Sequence, residues 1–505
     1  MDTTNESVKP ELQDEQENTT GTVELTSLQQ PSSSHSSSNT SSVNGDNDDL
    51  EELKSLVVTD QYDDENEEEE FILDPDVHST RKDEVQNSHR NGTASPLQVA
   101  VNIFISFVGS GMLGMPYAFS RSGWVLGILS LCTISAMNVY SMLLLVKTRH
   151  QLELLGNTNL EGYGDVGRAV AGAWGEHFVN ICLVISQLGF ATAYIIFIAA
   201  NIHNIYPQIE RATICLACVP ILSCLIQLRD MKHLSPFSLL ADAANISGLI
   251  AVMVQDWKVY HDDQYANNII HLSTYSSYFL WDGLIYVSSV SLYSLEGVGM
   301  VLSLESSCSD RAWFPSLMRK TLFCITLLMV VFGCCGYFAF GSETLAPITL
   351  NLEGNMVTIL VKCALCVGLY FTYPIMLFPV NQVMEDWIFT PQQQTQNDKI
   401  DNHHQDNNNN KYASIIFRCL VVLGSTLVAW IIPDFGKFLS LVGASICTIL
   451  GFILPAYFHR KAFGDEIKTW ELIIDYFLIT FGIIFGIVGT YQSFVNLISG
   501  HGSTH

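Results

Sequence analysis

The chain has 505 residues, 48% of them hydrophobic, and a formal net charge of −26. That charge is unevenly held: 24 of the 50 acidic residues and only 5 of the 24 basic ones fall in positions 1–95, so this stretch alone carries −19. The acidity therefore describes an appendage and not a substrate, and nucleic acid is disfavoured as a partner, because no basic stripe with interleaved aromatics exists to neutralise phosphates.

Residues 1–95 are rich in Ser, Thr, Asn, Gln, Asp and Glu. Such a segment buries too little apolar surface to offset its ordering entropy and is expected to be a disordered acidic tail. From Pro96 onward apolar runs follow one another with short polar breaks. A helix needs about 20 apolar residues to cross a hydrocarbon core of roughly 30 Å. The pattern predicts spans near 97–119, 123–146, 177–200, 212–228, 235–255, 278–302, 321–341, 355–382, 412–432, 436–458 and 471–496. This is an all-α membrane protein with eleven transmembrane helices. The expected organisation is a tail (1–95), a transmembrane domain (96–497) and a short end (498–505). No cleavable signal precedes the first span, which is expected to direct the chain to the membrane itself.

Lys and Arg counted by loop set the orientation. With a cytosolic N-terminus, thirteen lie on the cytosolic side and four, namely Arg121, Arg211, Lys258 and Lys437, on the other. The tail and the Asn/Gln-rich loop 391–410 are then cytosolic, and His505 is luminal or extracellular.

The first span reads Asn102-Ile-Phe-Ile-Ser-Phe-Val-Gly109-Ser110-Gly111-Met-Leu-Gly114-Met-Pro116. Three glycines and a proline would weaken a simple lipid anchor, and irregular backbone at membrane depth is tolerated only where protein or a wet cavity surrounds it. A break at Gly109–Gly111 leaves free amides whose positive end suits a carboxylate. Close helix packing through small residues is the alternative. The sixth span holds Ser288, Ser289, Ser291, Tyr293, Ser294, Glu296, Gly297 and Gly299, which is polar for a membrane helix. An ionised carboxylate near mid-span costs roughly 2.5–3.5 kcal/mol on insertion scales, so Glu296 is a candidate to take up and release a proton; the alternative is a structural hydrogen bond to a neighbouring helix. Asp242, nearer a span end, reads as structural. Lys362, early in span eight, is expected to reach the luminal interface along its stem. Cys215/Cys218 and Cys363/Cys366 have a two-residue spacing, but no His or carboxylate stands beside them, so they read as small packing residues. Neither metal nor cofactor is expected.

Interrupted helices in matching positions of two five-helix halves point to an inverted-repeat transporter with its site at the midplane. Here the breaks fall in spans one and six, the first helix of each half, and span eleven is an addition to the 5+5 repeat.

These residues resemble a known family. The run Val-Gly109-Ser-Gly111-Met-Leu-Gly114-Met-Pro116-Tyr-Ala-Phe followed by Ser-Gly-Trp124 is similar to the first helix of the amino acid/auxin permeases, above all to plant and fungal vacuolar neutral and aromatic amino-acid transporters. Further matches are Tyr163-Gly-Asp165, Ser186-Gln-x-Gly-Phe190, Tyr194-x-x-Phe-Ile198, Pro236-Phe-Ser-x-x-Ala-Asp242, Leu295-Glu-Gly-Val-Gly299, Thr372-Tyr-Pro374, and Leu441-Val-Gly443 with Pro455. The resemblance covers roughly 95–497. It implies a fold like that of the bacterial leucine transporter and amino-acid movement coupled to protons or sodium. Backbone at Gly109, Ser110 and Gly111 would hold the substrate carboxylate, and carbonyls and hydroxyls around Ser291, Tyr293 and Ser294 its amino group. Thr372 falls where sodium-coupled members use a hydroxyl ligand. A sodium-dependent branch carries an Asn close before its Gly-Ser-Gly, whereas position 105 here is Ile and Asn102 lies a turn away, so proton coupling fits better than sodium.

The expected activity is secondary active transport of neutral amino acids, aromatic ones included, with a proton by alternating access, in a vacuolar or lysosomal membrane in preference to the plasma membrane. Tyr194, Tyr293 and Tyr370 are the candidates for side-chain selectivity. A rival reading is an amino-acid sensor that recruits cytosolic partners through its acidic tail. An enzyme is not supported: neither a zinc-protease helix nor paired intramembrane aspartates nor a nucleophile–base pair is readable. Ion-channel filters and charge rings are missing too.

Overall fold

Helices account for nearly all of the ordered chain. The computed structural model describes residues 92–158, 160–227, 231–261, 280–352, 354–389 and 405–499, all within the unit Leu73–His505. The acidic tail up to residue 91, most of the Asn/Gln-rich loop and residues 500–505 lie outside the described residues.

In chain order the helices are α1 (Pro96–Phe107), α2 (Met115–Ser122), α3 (Trp124–Leu154), α4 (Tyr163–Ile205), α5 (Arg211–Leu225), α6 (Met231–His261), α7 (Leu284–Ser294), α8 (Val298–Ser307), α9 (Phe314–Phe340), α10 (Met356–Phe389), α11 (Gln405–Ile431), α12 (Phe435–Val442), α13 (Leu454–Phe463) and α14 (Thr469–Ser499). Among the described residues eight segments are long and apolar enough to cross a membrane. The pair formed by α1 and Ser110–Ser122, bent by 44°, makes a ninth. Helix α5 coincides with the expected fourth span but has only 15 residues, and α6, at the expected fifth, is not among the eight.

Three departures from the sequence reading have local causes. Residues 92–95, assigned to the disordered tail, are ordered. Ala94 N donates to Ser307 O at 3.0 Å and Ser309 N to Ala94 O at 3.2 Å, a backbone pairing that fastens the start of α1 to the end of α8. Ser95 and Gln98 then close a reciprocal capping box with Pro96 at the first helical position, the arrangement that best satisfies the first free amides. Helix α11 begins at Gln405, so the end of the Asn-rich loop is helical. Lys362 does not reach an interface. It is 2% exposed, and its ammonium donates to Asn204 Oδ1 at 2.6 Å and faces Leu352 O at 3.5 Å, because the segment around 344–352 folds over it.

The outermost helix is α14, with Ile473, Phe477, Ile484, Ile487 and Tyr491 all exposed. Its two acidic residues point the other way. Asp475 meets His459 Nδ1 at 2.7 Å with both side chains fully buried, and Glu471 takes Lys147 at 2.8 Å. A second charged cluster sits where α3 meets α8. Arg149, almost fully buried, reaches Glu153, Glu305 and Ser306, while His150 also meets Glu305 at 2.6 Å. Arg311 completes it on Glu153. Buried charges persist only when paired in this way, since removing one partner of such a pair costs about 3–5 kcal/mol.

Candidate functional site

The first broken span is set by its glycines. After α1 ends at Phe107, Gly109 is extended (φ −139°, ψ −155°), and a short 3₁₀ turn, Ser110–Gly114, leads into α2. Among the described residues no hydrogen bond engages the amides of Gly109, Ser110 or Gly111; the first that closes is Met112 N to Gly109 O at 3.2 Å. Unpaired amides at the start of a helical segment make it a positive end.

The second break separates α7 from α8 at Leu295, Glu296 and Gly297. Leu295 N still reaches Ser291 O at 3.0 Å and Glu296 N reaches Tyr293 O at 3.4 Å, but the Ser294 carbonyl accepts nothing among the described residues. Asn138 Nδ2, from α3, donates to the carbonyl of Leu295. The end of α7 is thus a negative end beside the positive one.

The two breaks are in direct contact. A Cβ placed on Gly111 would stand 2.5 Å from Ser294 Oγ and 2.9 Å from Ser294 Cα, whereas one on Gly109 would meet nothing within 4 Å. A Cβ on Gly297 would run into the Phe107 ring. Glycine is required at 111 and 297 by close approach, not by backbone angle. The hydroxyls of Ser110 and Tyr293 lie 3.4 Å apart, and Tyr293 packs edge-on against Phe190 at 4.8 Å between ring centroids.

Between the breaks lies a cavity of about 50 Å³, whose walls come from α1, α4, α7, α8 and α10, room for a few water molecules. Of the residues singled out in the sequence, Gly109, Ser110, Gly111, Tyr194, Tyr293, Ser294 and Glu296 line it. Four others do not. Ser291 is buried within α7 with its hydroxyl on Val287 O. Tyr370 turns its hydroxyl to Cys218 Sγ at 2.8 Å. The Thr372 hydroxyl is spent on Gly368 O, in its own helix, at 2.9 Å. Asn102 lies on the exposed face of α1, its carbonyl accepting from Ser106 Oγ. Sequence reasoning gave no role to Ser186, Gln187, Phe190 or Met376, which also line the cavity. The first three sit in a motif that was visible, but a long apolar helix does not reveal which of its faces meets the break.

Glu296 carries an unpaired buried oxygen, Oε2, and Asn138 carries another, Oδ1. The two lie within 3.7 Å and 3.6 Å of where a Cβ on Gly451 would stand, so both face one small space left by that glycine. Gly451 belongs to a stretch between α12 and α13, Gly443–Cys447 and Ile449–Ile453, that winds as π-helix, a form often found beside functional sites. Among the described residues no three His, Cys, Asp or Glu side chains gather as a metal site.

Unpaired amides at Gly109–Gly111 and an unpaired carbonyl at Ser294 thus belong to residues that line one buried cavity. Residues 92–495 match the model of the transmembrane amino acid transporter proteins, and the chain belongs to that family, the amino acid/auxin permeases. It is 36% identical to amino acid transporter ANT1 of Arabidopsis thaliana over 80% of this chain and 93% of that one, and 33% identical to AVT3B of the same plant over 80% and 94%. Vacuolar amino acid transporter 3 of Saccharomyces cerevisiae is 27% identical over 77% of this chain and 55% of its own length. In fold the chain resembles a sodium-coupled sialic acid symporter, with a TM-score of 0.50 at 10% identity over 83% of this chain and 94% of that one. The protein is an amino acid transporter and not an enzyme.

Proposed function

We propose that this transporter moves neutral amino acids, aromatic ones included, together with a proton by alternating access. The observation that carries this reading is the contact between two broken spans, which offers unpaired amides at Gly109–Gly111 and an unpaired carbonyl at Ser294 to the two ends of one zwitterion. A neutral side chain suits the wall, which includes Phe107, Phe190, Tyr194 and Tyr293, neither Lys nor Arg, and one acid, Glu296, that a bound proton neutralises.

Proton coupling is favoured by the two orphaned oxygens beside Gly451. An unmade buried hydrogen bond costs about 1–3 kcal/mol. One proton on Glu296, shared with Asn138 Oδ1 after a small side-chain adjustment, relieves both. Sodium has less support, since the Thr372 hydroxyl points into its own helix and Asn102 lies away from the cavity. In the eleven-span, 5+5 arrangement, spans one, two, six and seven rock against the rest. A cytosolic N-terminus is favoured by the distribution of Lys and Arg, and relatives called vacuolar support a vacuolar membrane, with a lysosomal one the counterpart. One pH unit supplies about 1.36 kcal/mol per proton, up to about tenfold accumulation.

The test is uptake into proteoliposomes with an imposed pH gradient, scanning neutral, acidic and basic amino acids with and without sodium. Accumulation of neutral amino acids that follows the pH gradient and ignores sodium is expected. Accumulation that follows sodium, or transport of charged amino acids alone, contradicts the proposal.

A further inference from the structure

The cavity wall contains an acceptor that the transport reading leaves unused. Gln187 lies on α4 beside both breaks, and its Oε1 is buried and accepts no hydrogen bond among the described residues. Of the α7 hydroxyls at the cavity end, Ser291 donates to Val287 O at 2.7 Å and Ser294 to Val290 O at 2.8 Å, while that of Tyr293 stands 3.4 Å from Ser110 Oγ. The orphaned oxygen of Glu296 faces Asn138 and Gly451, on the side of the break towards α3 and the π-helical stretch.

A buried amide oxygen without a donor is stabilised by whatever brings one. The free amides at Gly109–Gly111 already favour a carboxylate, so the ligand that satisfies both carries its donors at the other end. A primary ammonium offers three N–H groups and suits an uncharged acceptor that holds it by hydrogen bonding. Resting on the carrier reading above, we infer that Gln187 Oε1 accepts a hydrogen bond from the α-ammonium of the bound amino acid and favours an ammonium over a hydroxyl at that position. A consequence follows for coupling. Ammonium and proton use different groups, Gln187 and Glu296, so both can be bound at once.

The experiment uses the full chain in proteoliposomes. Uptake of one well-transported neutral amino acid is competed by the same amino acid unlabelled, by its N-methyl derivative and by the corresponding α-hydroxy acid. The wild type prefers either amine to the α-hydroxy acid. Gln187→Leu shrinks that preference by about tenfold, the effect of one charge-assisted hydrogen bond, and Gln187→Glu, which keeps an acceptor at the same reach, restores most of it. A Gln187→Leu protein that loses affinity for all three competitors equally overturns the inference, because a merely structural role lowers every affinity alike. If Gln187→Leu does not transport, ligand-induced thermal stabilisation of the purified Gln187→Leu and Gln187→Met proteins by the same three compounds gives the same comparison. A wild type that moves no amino acid at all removes the carrier reading, and this inference with it.

Discussion

The two interrupted spans are made from different chemistry. In the first, glycine leaves room, the backbone of Gly109–Gly111 is unpaired, and no titratable side chain lies between α1 and α2. In the second, the break itself contains a carboxyl, Glu296, and its neighbour Leu295 is tied by its carbonyl to Asn138 on another helix. One break therefore offers fixed dipoles that do not change with pH, and the other offers a group that does. Under the proposed function the contrast becomes a division of labour: the first break holds the substrate, and the second reports the proton to the rest of the bundle through Asn138 and Gly451.

The sharpest way to break that division is Glu296→Gln. The amide keeps the shape and supplies a fixed N–H to Asn138, so the second break is held in one state. Uptake down a substrate gradient is expected to survive, while accumulation driven by one pH unit falls from about tenfold to none and the pH profile goes flat, as read in proteoliposomes. An unchanged pH profile ends the assignment of the proton to this residue. A smaller effect is expected from Asn138→Leu. It strips the Leu295 carbonyl of its partner and removes the acceptor facing Glu296, and an unpaired buried group costs about 1–3 kcal/mol. Exchange of internal for external amino acid without a gradient should slow by about tenfold, and the pH midpoint of uptake should move because the Glu296 proton loses its acceptor. A slower rate with an unmoved midpoint makes Asn138 a packing residue only.

Much of this was legible in the sequence. Glycine and proline inside an apolar run, and a glutamate inside another, are conspicuous because a lipid-facing helix tolerates neither, and both positions proved to be breaks. The lining by Tyr194 and Tyr293 was legible too. What sequence could not supply is the direction in which a helix faces. Tyr370 and Thr372 lie on α10 one residue to either side of Phe371, yet neither reaches the cavity, and Gln187 does so from the middle of a 43-residue helix. That long helix is itself bent at Ala171–Gly172, where Gly172 takes φ +69°, just before the apolar run of the predicted span 177–200. Lys362 escaped for a related reason: its partner Asn204 is 158 positions away in the chain.

The same comparison also locates which glycine matters. Flexibility alone would make Gly109 and Gly111 equivalent; contact between the breaks makes them different. Uptake of a neutral amino acid by Gly109→Ala and Gly111→Ala, each checked for equal presence and thermal stability in the membrane, puts that difference to a single measurement. The added methyl at 109 meets no protein atom within 4 Å, but Gly109 lines the cavity, so uptake should fall by about threefold. At 111 it presses on the Ser294 backbone, an overpacking of about 1–3 kcal/mol, and should lower uptake by about tenfold or more. Equal transport by the two proteins would contradict the account, since the broken helices would then not meet at the substrate.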